Sequence, residues 1–151
     1  MLIMDVDGVL TDGGIYYGSA GEELKKFHVH DGYGALKLKR AGVRLGIITG
    51  RVSRMVERRA SELGFDAVHQ NLENKLEAYE AIRAKFGLRD EEIAYIGDDD
   101  PDIPVLERVG FSAAPANAMA SVLRKVDYVC KATGGSGVMR EVAELILRYR
   151  R

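Results

Sequence analysis

The feature that most restricts what this chain can fold into is a repeated alternation. Short apolar or β-branched runs, each closed by glycine or acidic residues, are separated by stretches whose apolar residues recur at helical spacing. Residues 2–6, 44–48, 66–70, 93–96, 111–114 and 128–130 read as strands. A helix with Ser53 as its cap runs through Leu63 to a stop at Gly64. A longer one covers 74–86, with Leu76, Tyr79, Ile82 and Phe86 on one stripe and Gly87 after it. A short helix is expected at 103–109 and a last one at 138–149. Strands alternating with helices in this way imply an α/β class, doubly wound, with a mostly parallel sheet. The 151 residues, 46% hydrophobic and 30% charged, suit one domain over 1–151 with a full-sized core.

One segment breaks the rhythm. Before a helix near 34–40, residues 13–30 carry Gly13-Gly14, a turn from Gly18 to Gly21, and Leu24, Phe27 and Val29 among polar neighbours, the pattern of a projecting β-hairpin. His28 and His30 then share one face of a hairpin strand, where packing at a surface or an interface is expected. A formal charge of −1 removes the general electrostatic case for nucleic acid or an anionic membrane as partner. No apolar run approaches the roughly 18 residues of a membrane span. The opening Met1-Leu2-Ile3-Met4 is cut short by Asp5, so neither a membrane helix nor a signal peptide is expected, and the expected location is cytoplasmic. The single cysteine, Cys130, reads as core packing, and Met55, Met119 and Met139 as core filler.

Three of the strand ends carry groups capable of chemistry. Asp5-Val-Asp7-Gly8 ends the first, Thr49-Gly50-Arg51 follows the second, and Gly97-Asp98-Asp99 with Asp102 follows the strand at 93–96. In an open parallel sheet the loops at the C-terminal strand ends share one crevice. Four or more carboxylates gathered there repel one another unless a cation lies among them. Oxygen ligands alone, without a Cys or His set nearby, suit a hard ion that keeps some of its water, and Mg²⁺ is the natural candidate. An aspartate at the mouth of a buried strand can attack phosphorus, and a carboxylate two residues later can protonate the leaving group. Strand alternation points Asp5 and Asp7 the same way. Phosphoryl transfer also needs donors and positive charge around the equatorial oxygens. Lys75, the Thr49 hydroxyl and backbone N–H groups of the glycine-containing loops can supply them beside the metal.

These residues resemble, in order, the four motifs of the haloacid dehalogenase superfamily: Asp5-Val-Asp7-Gly8-Val-Leu-Thr-Asp12, Ile48-Thr49-Gly50-Arg51, Lys75, and Gly97-Asp98-Asp99 with Asp102. The resemblance covers nearly the whole chain. It implies that Asp5 is the nucleophile and Asp7 the general acid/base. Asp5, the Asp7 carbonyl and Asp98 would hold Mg²⁺, Thr49 and Lys75 the phosphoryl group, and Asp99 or Asp102 would order the metal shell and Lys75. The intervals between the motifs leave no room for a cap domain. A capless site is open to water, so it either acts on large substrates or borrows walls from neighbouring subunits.

Finer motifs narrow the resemblance. Phe27-His-Val-His-Asp31-Gly32 with Gly34, Thr49-Gly50-Arg51 with Ser53, Arg59 with Leu63-Gly64, and Gly134-Gly135 with Gly137 and Arg140-Glu141 are similar to the 3-deoxy-D-manno-octulosonate 8-phosphate phosphatases, over about residues 2–147. That family implies a homotetramer whose hairpins build a central barrel, and release of an eight-carbon sugar acid and phosphate. A substrate with both a carboxylate and a phosphate calls for arginines. Gly50, Arg51 and Arg59 are the nearest substrate-binding candidates, and Arg140, on a glycine-rich approach to a helix, is a further one across a subunit boundary. Related phosphatases of nine-carbon sialic-type acids carry Glu where Arg51 stands and Lys where Glu62 stands. The eight-carbon acid phosphate is therefore the expected substrate, and the nine-carbon acid or another sugar phosphate the alternative. Three departures stand out: Asn71 after Gln70 where glycine is usual, Asp100 where an apolar residue is usual, and a sequence that opens on its first strand and closes soon after its last helix, so that the family's leader and longer tail are expected to be missing. A phosphoacceptor module would carry its acceptor on a mid-chain strand, and an idle scaffold would not need Asp5 and Asp7 intact.

Overall fold

The computed structural model describes residues 1–21 and 23–149. In chain order it comprises β1 (Leu2–Met4), β2 (Tyr16–Tyr17), β3 (Glu23–Leu24), α1 (Val29–Arg40), β4 (Leu45–Ile48), α2 (Arg54–Leu63), β5 (Ala67–His69), α3 (Lys75–Phe86), β6 (Ala94–Ile96), α4 (Ile103–Leu106), β7 (Phe111–Ala114), α5 (Ala120–Leu123), β8 (Tyr128–Val129) and α6 (Val138–Tyr149). Six strands form one sheet in the order β5-β4-β1-β6-β7-β8. Every neighbouring pair in it is parallel. Leu2, Ile3 and Met4 stand opposite Leu45, Gly46 and Ile47 on one side and Ala94, Tyr95 and Ile96 on the other. The chain builds outward from β1 through β4 to β5, then crosses to β6, so the reversal of strand order falls beside β1.

The central strands read as continuous apolar runs because both of their faces are covered. On one face Leu2, Met4, Leu45 and Ile47 pack with Leu38 of α1, Val56 and Ala60 of α2, and Met139 and Val142 of α6. On the other, Ile3, Ile48 and Tyr95 pack with Tyr79 and Ile82 of α3, Val105 and Leu106 of α4 and Val122 of α5. The two clusters flank the sheet, and among the described residues no cap domain sits over it. Helix α1 lies close against α6 because Gly34 has no side chain: a Cβ there would stand 3.0 Å from the Arg140 Cα. Asn74 caps α3 by accepting from the Leu76 N–H at 3.1 Å, and Gly87 ends it in the left-handed region at φ 63°.

Several expected boundaries shift. Strand pairing in the hairpin region is confined to Tyr16–Tyr17 against Glu23–Leu24, antiparallel, and residue 22 lies outside the described residues. Helix α1 begins at Val29, not near Gly34, so the second strand of the expected hairpin stops at Leu24 and gives way to a loop and a helix start. The reason is local and tertiary together. The Nδ1 of His28 accepts from the His30 N–H at 3.2 Å as an N-cap, and buried Asp31 in the first turn accepts from the Arg140 N–H at 2.9 Å. His28 and His30 are therefore a cap and a first-turn residue with rings 4.8 Å apart, not two positions on one strand face. Ser53 occupies the N-cap position of α2, but its hydroxyl makes no capping bond and turns toward the Met55 sulfur at 3.6 Å. Met139 is core. Met119 is 54% exposed, standing before the single-turn α5, an element too short to leave a periodic signal.

Candidate active site

Because β1 lies between β4 and β6, the residues that leave these three strands at their C-terminal ends emerge side by side. Asp5, Thr49 and Gly97-Asp98 are those residues, and α3 brings Lys75 to them from its first position. Asp5 and Lys75 are nearly buried, at 7% and 6% exposure. Asp5 Oδ1 accepts from the Val6 N–H at 2.7 Å, and Asp5 Oδ2 lies 2.7 Å from the Lys75 ammonium.

Lys75 also donates to Asp102 Oδ1 at 2.7 Å, and the phenol of fully buried Tyr95 donates to the same oxygen at 2.6 Å. Asp102 Oδ2 accepts from the N–H groups of Asp98 at 3.0 Å and Asp99 at 3.3 Å. With both oxygens engaged, Asp102 orients Lys75 and the Asp98 backbone. Asp99 turns away: its carboxylate accepts from the Asp100 N–H at 2.7 Å and caps the short 3-10 turn Asp100–Asp102. Of the two residues expected to order this shell, the geometry gives the side-chain contact with Lys75 to Asp102. Asp100 is exposed and accepts from the Ser121 hydroxyl.

Ligand atoms of Asp5, Asp98 and Asp102 lie within 4.8 Å of one another. Burial and the negative charge of Asp102 push Asp5 from the ordinary 3.8 up to about 6, against the pull of Lys75. Burial and the charges of Asp5 and Asp102 push Asp98 up to about 7. Asp98 Oδ1 is buried with no hydrogen-bond partner. An orphaned carboxylate oxygen beside two further carboxylates that share the one Lys75 ammonium fits a divalent cation with oxygen ligands. Gly8 leaves the room: at φ 85°, a Cβ on it would fall 2.0 Å from Asp98 Oδ2. Gly134, on the approach to α6, presses on the same loop, where a Cβ would fall 2.0 Å from the Gly8 carbonyl oxygen.

Asp7 faces a different set of partners. Its Oδ1 accepts from the Lys25 ammonium at 2.5 Å, and its Oδ2 lies 3.8 Å from Arg51 Nε. Thr49 is buried, and its N–H donates to the His69 carbonyl at 2.9 Å. Gly50 lets the next loop come close, since a Cβ there would meet the Leu72 carbonyl at 3.3 Å. That loop holds Asn71 at φ 60°, the one non-glycine in the left-handed region among the described residues. Asparagine tolerates this conformation, so the turn a glycine would make before Lys75 is kept. Lys25 and Tyr95 are the site residues that sequence reasoning missed. Tyr95 had a signal, a phenol inside a buried strand that must find an acceptor. Lys25 had none.

The remaining arginines sit further out. Arg59 lies over the Phe27 ring at 5.8 Å and lines, with Lys25, Phe27, Val29, Met55, Arg58 and Glu62, a cavity of about 420 Å³. The Arg140 side chain pairs with Glu144 at 2.7 Å and stacks on Tyr33 at 5.0 Å, in the α1–α6 contact. A larger cavity of about 1040 Å³ opens at the opposite end of the sheet, lined by Met1, Arg44, Ile93 and Phe111 among others, and contains none of the site residues above.

An aspartate pair after the first strand, a threonine after its neighbour, a helix-borne lysine and an aspartate cluster after β6, on a capless parallel sheet, define a haloacid dehalogenase-like hydrolase. The profile of that family, described as a haloacid dehalogenase-like hydrolase, matches residues 35–110. The 3-deoxy-D-manno-octulosonate 8-phosphate phosphatase KdsC of Escherichia coli K12 is 46% identical over 97% of this chain and 78% of its own length. The crystal structure of the Yersinia pestis phosphatase of that name superposes with a TM-score of 0.96 at 47% identity, covering 97% of this chain and 80% of that one. A structure of the Moraxella catarrhalis phosphatase, in complex with magnesium, phosphate and KDO, gives a TM-score of 0.95 at 46% identity, over 97% of this chain and 84% of that one. The chain belongs to the haloacid dehalogenase-like hydrolases and, within them, to the family of these octulosonate 8-phosphate phosphatases.

Proposed function

We propose that this chain hydrolyses 3-deoxy-D-manno-octulosonate 8-phosphate to the free sugar acid and phosphate. The observation that carries the chemistry is Asp5, held between the Val6 N–H and Lys75, beside the orphaned oxygen of Asp98. Asp5, Asp98 and the Asp7 carbonyl are the residues that would hold Mg²⁺, which when bound supplies positive charge against the phosphoryl oxygens. An Asp5 oxygen attacks phosphorus, Asp7 protonates the departing sugar oxygen, and an aspartyl-phosphate forms. Asp7 then takes a proton from water, which attacks phosphorus and frees Asp5. Lys75, the Thr49 hydroxyl and the Gly50 N–H gather the equatorial oxygens, and Asp102 with Tyr95 holds Lys75 in place.

Arg51, the arginine nearest Asp7, is the candidate for the substrate carboxylate within one chain, while Arg59 and Arg140 suit a wall shared between chains. Exposed Ile15, Tyr16, Tyr17 and Leu24 around the hairpin support burial of that element in a homotetramer. No helix among the described residues is long and apolar enough to cross a membrane, in keeping with a cytoplasmic enzyme in which 1–151 acts as one domain. The test is phosphate release from the octulosonate 8-phosphate, a nine-carbon sialic-type acid 9-phosphate and simple sugar phosphates, with and without Mg²⁺. Preference for the eight-carbon acid, lost on chelation and in Asp5→Asn, is the expected result. Preference for the nine-carbon acid would reassign the substrate, and no release from any of them would refute the chemistry.

A further inference from the structure

Lys25 is a further cation against the catalytic loop, and it takes no part in the steps above. It follows β3 and reaches Asp7, a contact 18 residues back along the chain. Its side chain is 1% exposed, so its ammonium has left water and depends on protein acceptors. Asp7 Oδ1 is one of them, at 2.5 Å. Arg51 Nε, 3.8 Å from Asp7 Oδ2, is beyond hydrogen-bond length.

An ammonium only donates. The Asp7 oxygen it faces is therefore an acceptor whether the carboxyl is ionised or protonated, and a proton carried by Asp7 resides on Oδ2. We infer that Lys25 is a positioning residue for proton transfer: by engaging Asp7 Oδ1 it fixes the rotation of the carboxyl group and presents Oδ2 to the leaving oxygen. The inference rests on the phosphatase reading of Asp5 and Asp7. In the first step an Asp5 oxygen bonds to phosphorus. The bond from phosphorus to the sugar oxygen breaks with its electron pair on that oxygen, and the Asp7 Oδ2 proton passes to it, leaving a carboxylate that Lys25 already faces. In the second step Oδ2 removes a proton from the water that attacks phosphorus, and the bond from phosphorus to the Asp5 oxygen breaks with its electron pair on the Asp5 carboxylate. The hairpin region thereby contributes to the orientation of the acid/base.

The test compares the Mg²⁺-loaded full chain with Lys25→Met and Lys25→Arg on two substrates, the octulosonate 8-phosphate and 4-nitrophenyl phosphate. The alkoxide leaving group of the first needs the proton, whereas nitrophenolate departs without it. The quantity read is kcat/KM, which reports the steps up to formation of the aspartyl-phosphate. Positioned proton transfer contributes typically ~10²–10⁴-fold, so loss of orientation in Lys25→Met is expected to lower kcat/KM for the sugar phosphate about 30-fold or more, and for the nitrophenyl ester less than about 3-fold. Lys25→Arg is expected to recover at least half of the logarithmic loss. Equal losses on both substrates, with a lowered melting temperature, would make Lys25 a purely structural tie and overturn the inference. A loss confined to KM for the sugar phosphate would overturn it in favour of substrate contact. Wild-type turnover that Asp5→Asn abolishes upholds the underlying reading independently. If wild type releases phosphate and Lys25→Met matches it, only the role of Lys25 falls. If wild type releases none from either substrate, both fall.

Discussion

Raising the pH of the metal-free protein is expected to destabilise it, and Mg²⁺ to remove most of that effect. Asp5 and Asp98 are pushed from the ordinary 3.8 to about 6 and about 7 by burial and by neighbouring carboxylates. The unfolded chain releases these protons near pH 4 and the folded chain only near pH 6 to 7, so between those values the folded state binds more protons. Stability then falls as pH rises through that window and levels off above it. At about 1.4 kcal/mol per pKa unit, and counting the mutual repulsion of the two groups once, the loss from pH 5 to pH 8 is on the order of 3 kcal/mol. For a chain of this size that is a fall in Tm of about 10 °C. The assay is thermal denaturation in EDTA across pH 5 to 8, repeated at saturating Mg²⁺. A bound cation stabilises both ionised carboxylates, so the slope should largely vanish in the second series. Asp31, raised by burial but placed in the α1–α6 contact, leaves a metal-insensitive remainder of the same sign. Asp98→Asn, which removes one buried charge, should raise the apo Tm at pH 8 while abolishing activity. An apo Tm that stays flat or rises between pH 5 and 8 would refute this account of the cluster.

Other substitutions probe single contacts. Tyr95→Phe removes a donor from Asp102 in a fully buried setting and should cost about 1.5–3 kcal/mol in urea denaturation, with slower turnover as Lys75 loses its alignment. Gly8→Ala places a Cβ 2.0 Å from Asp98 Oδ2 at a strained φ, and should weaken Mg²⁺ at least about tenfold in an activity titration against metal concentration. Asn71→Gly should leave stability within about 0.5 kcal/mol of wild type, whereas Asn71→Val, at φ 60°, should lose about 1–3 kcal/mol in the same denaturation.

Much of the fold was legible because buried parallel strands announce themselves. The runs leading to Asp5, Thr49 and Gly97 are apolar on both faces, so their ends, and the carboxylates there, could be located to within a residue or two. Helix α6 kept its expected bounds because its apolar stripe is regular and preceded by Gly137. Other features depend on partners distant in sequence. The start of α1 is fixed by Asp31 reaching the Arg140 N–H, and nothing near residue 29 signals that bond. The choice between Asp99 and Asp102 is made by a single 3-10 turn, which spends one carboxylate on its own cap and buries the other beneath Lys75. Lys25 looked like any hairpin lysine, since its acceptor lies on the far side of a turn.

The contact of Gly134 with the Gly8 carbonyl, and of Gly8 with Asp98, also bears on how the site tolerates change. Here backbone meets backbone, or backbone meets a carboxylate, with no side chain between, so the shape of the catalytic loop is specified by missing atoms. Such positions have nothing to lose by deletion and everything to lose by addition. A saturation scan should find them as intolerant as Asp5, though neither glycine takes part in a bond-making step. The same scan should find residues at the large cavity beneath the sheet, such as Arg44, far more permissive, so tolerance to substitution would separate the two ends of the sheet more sharply than cavity size does.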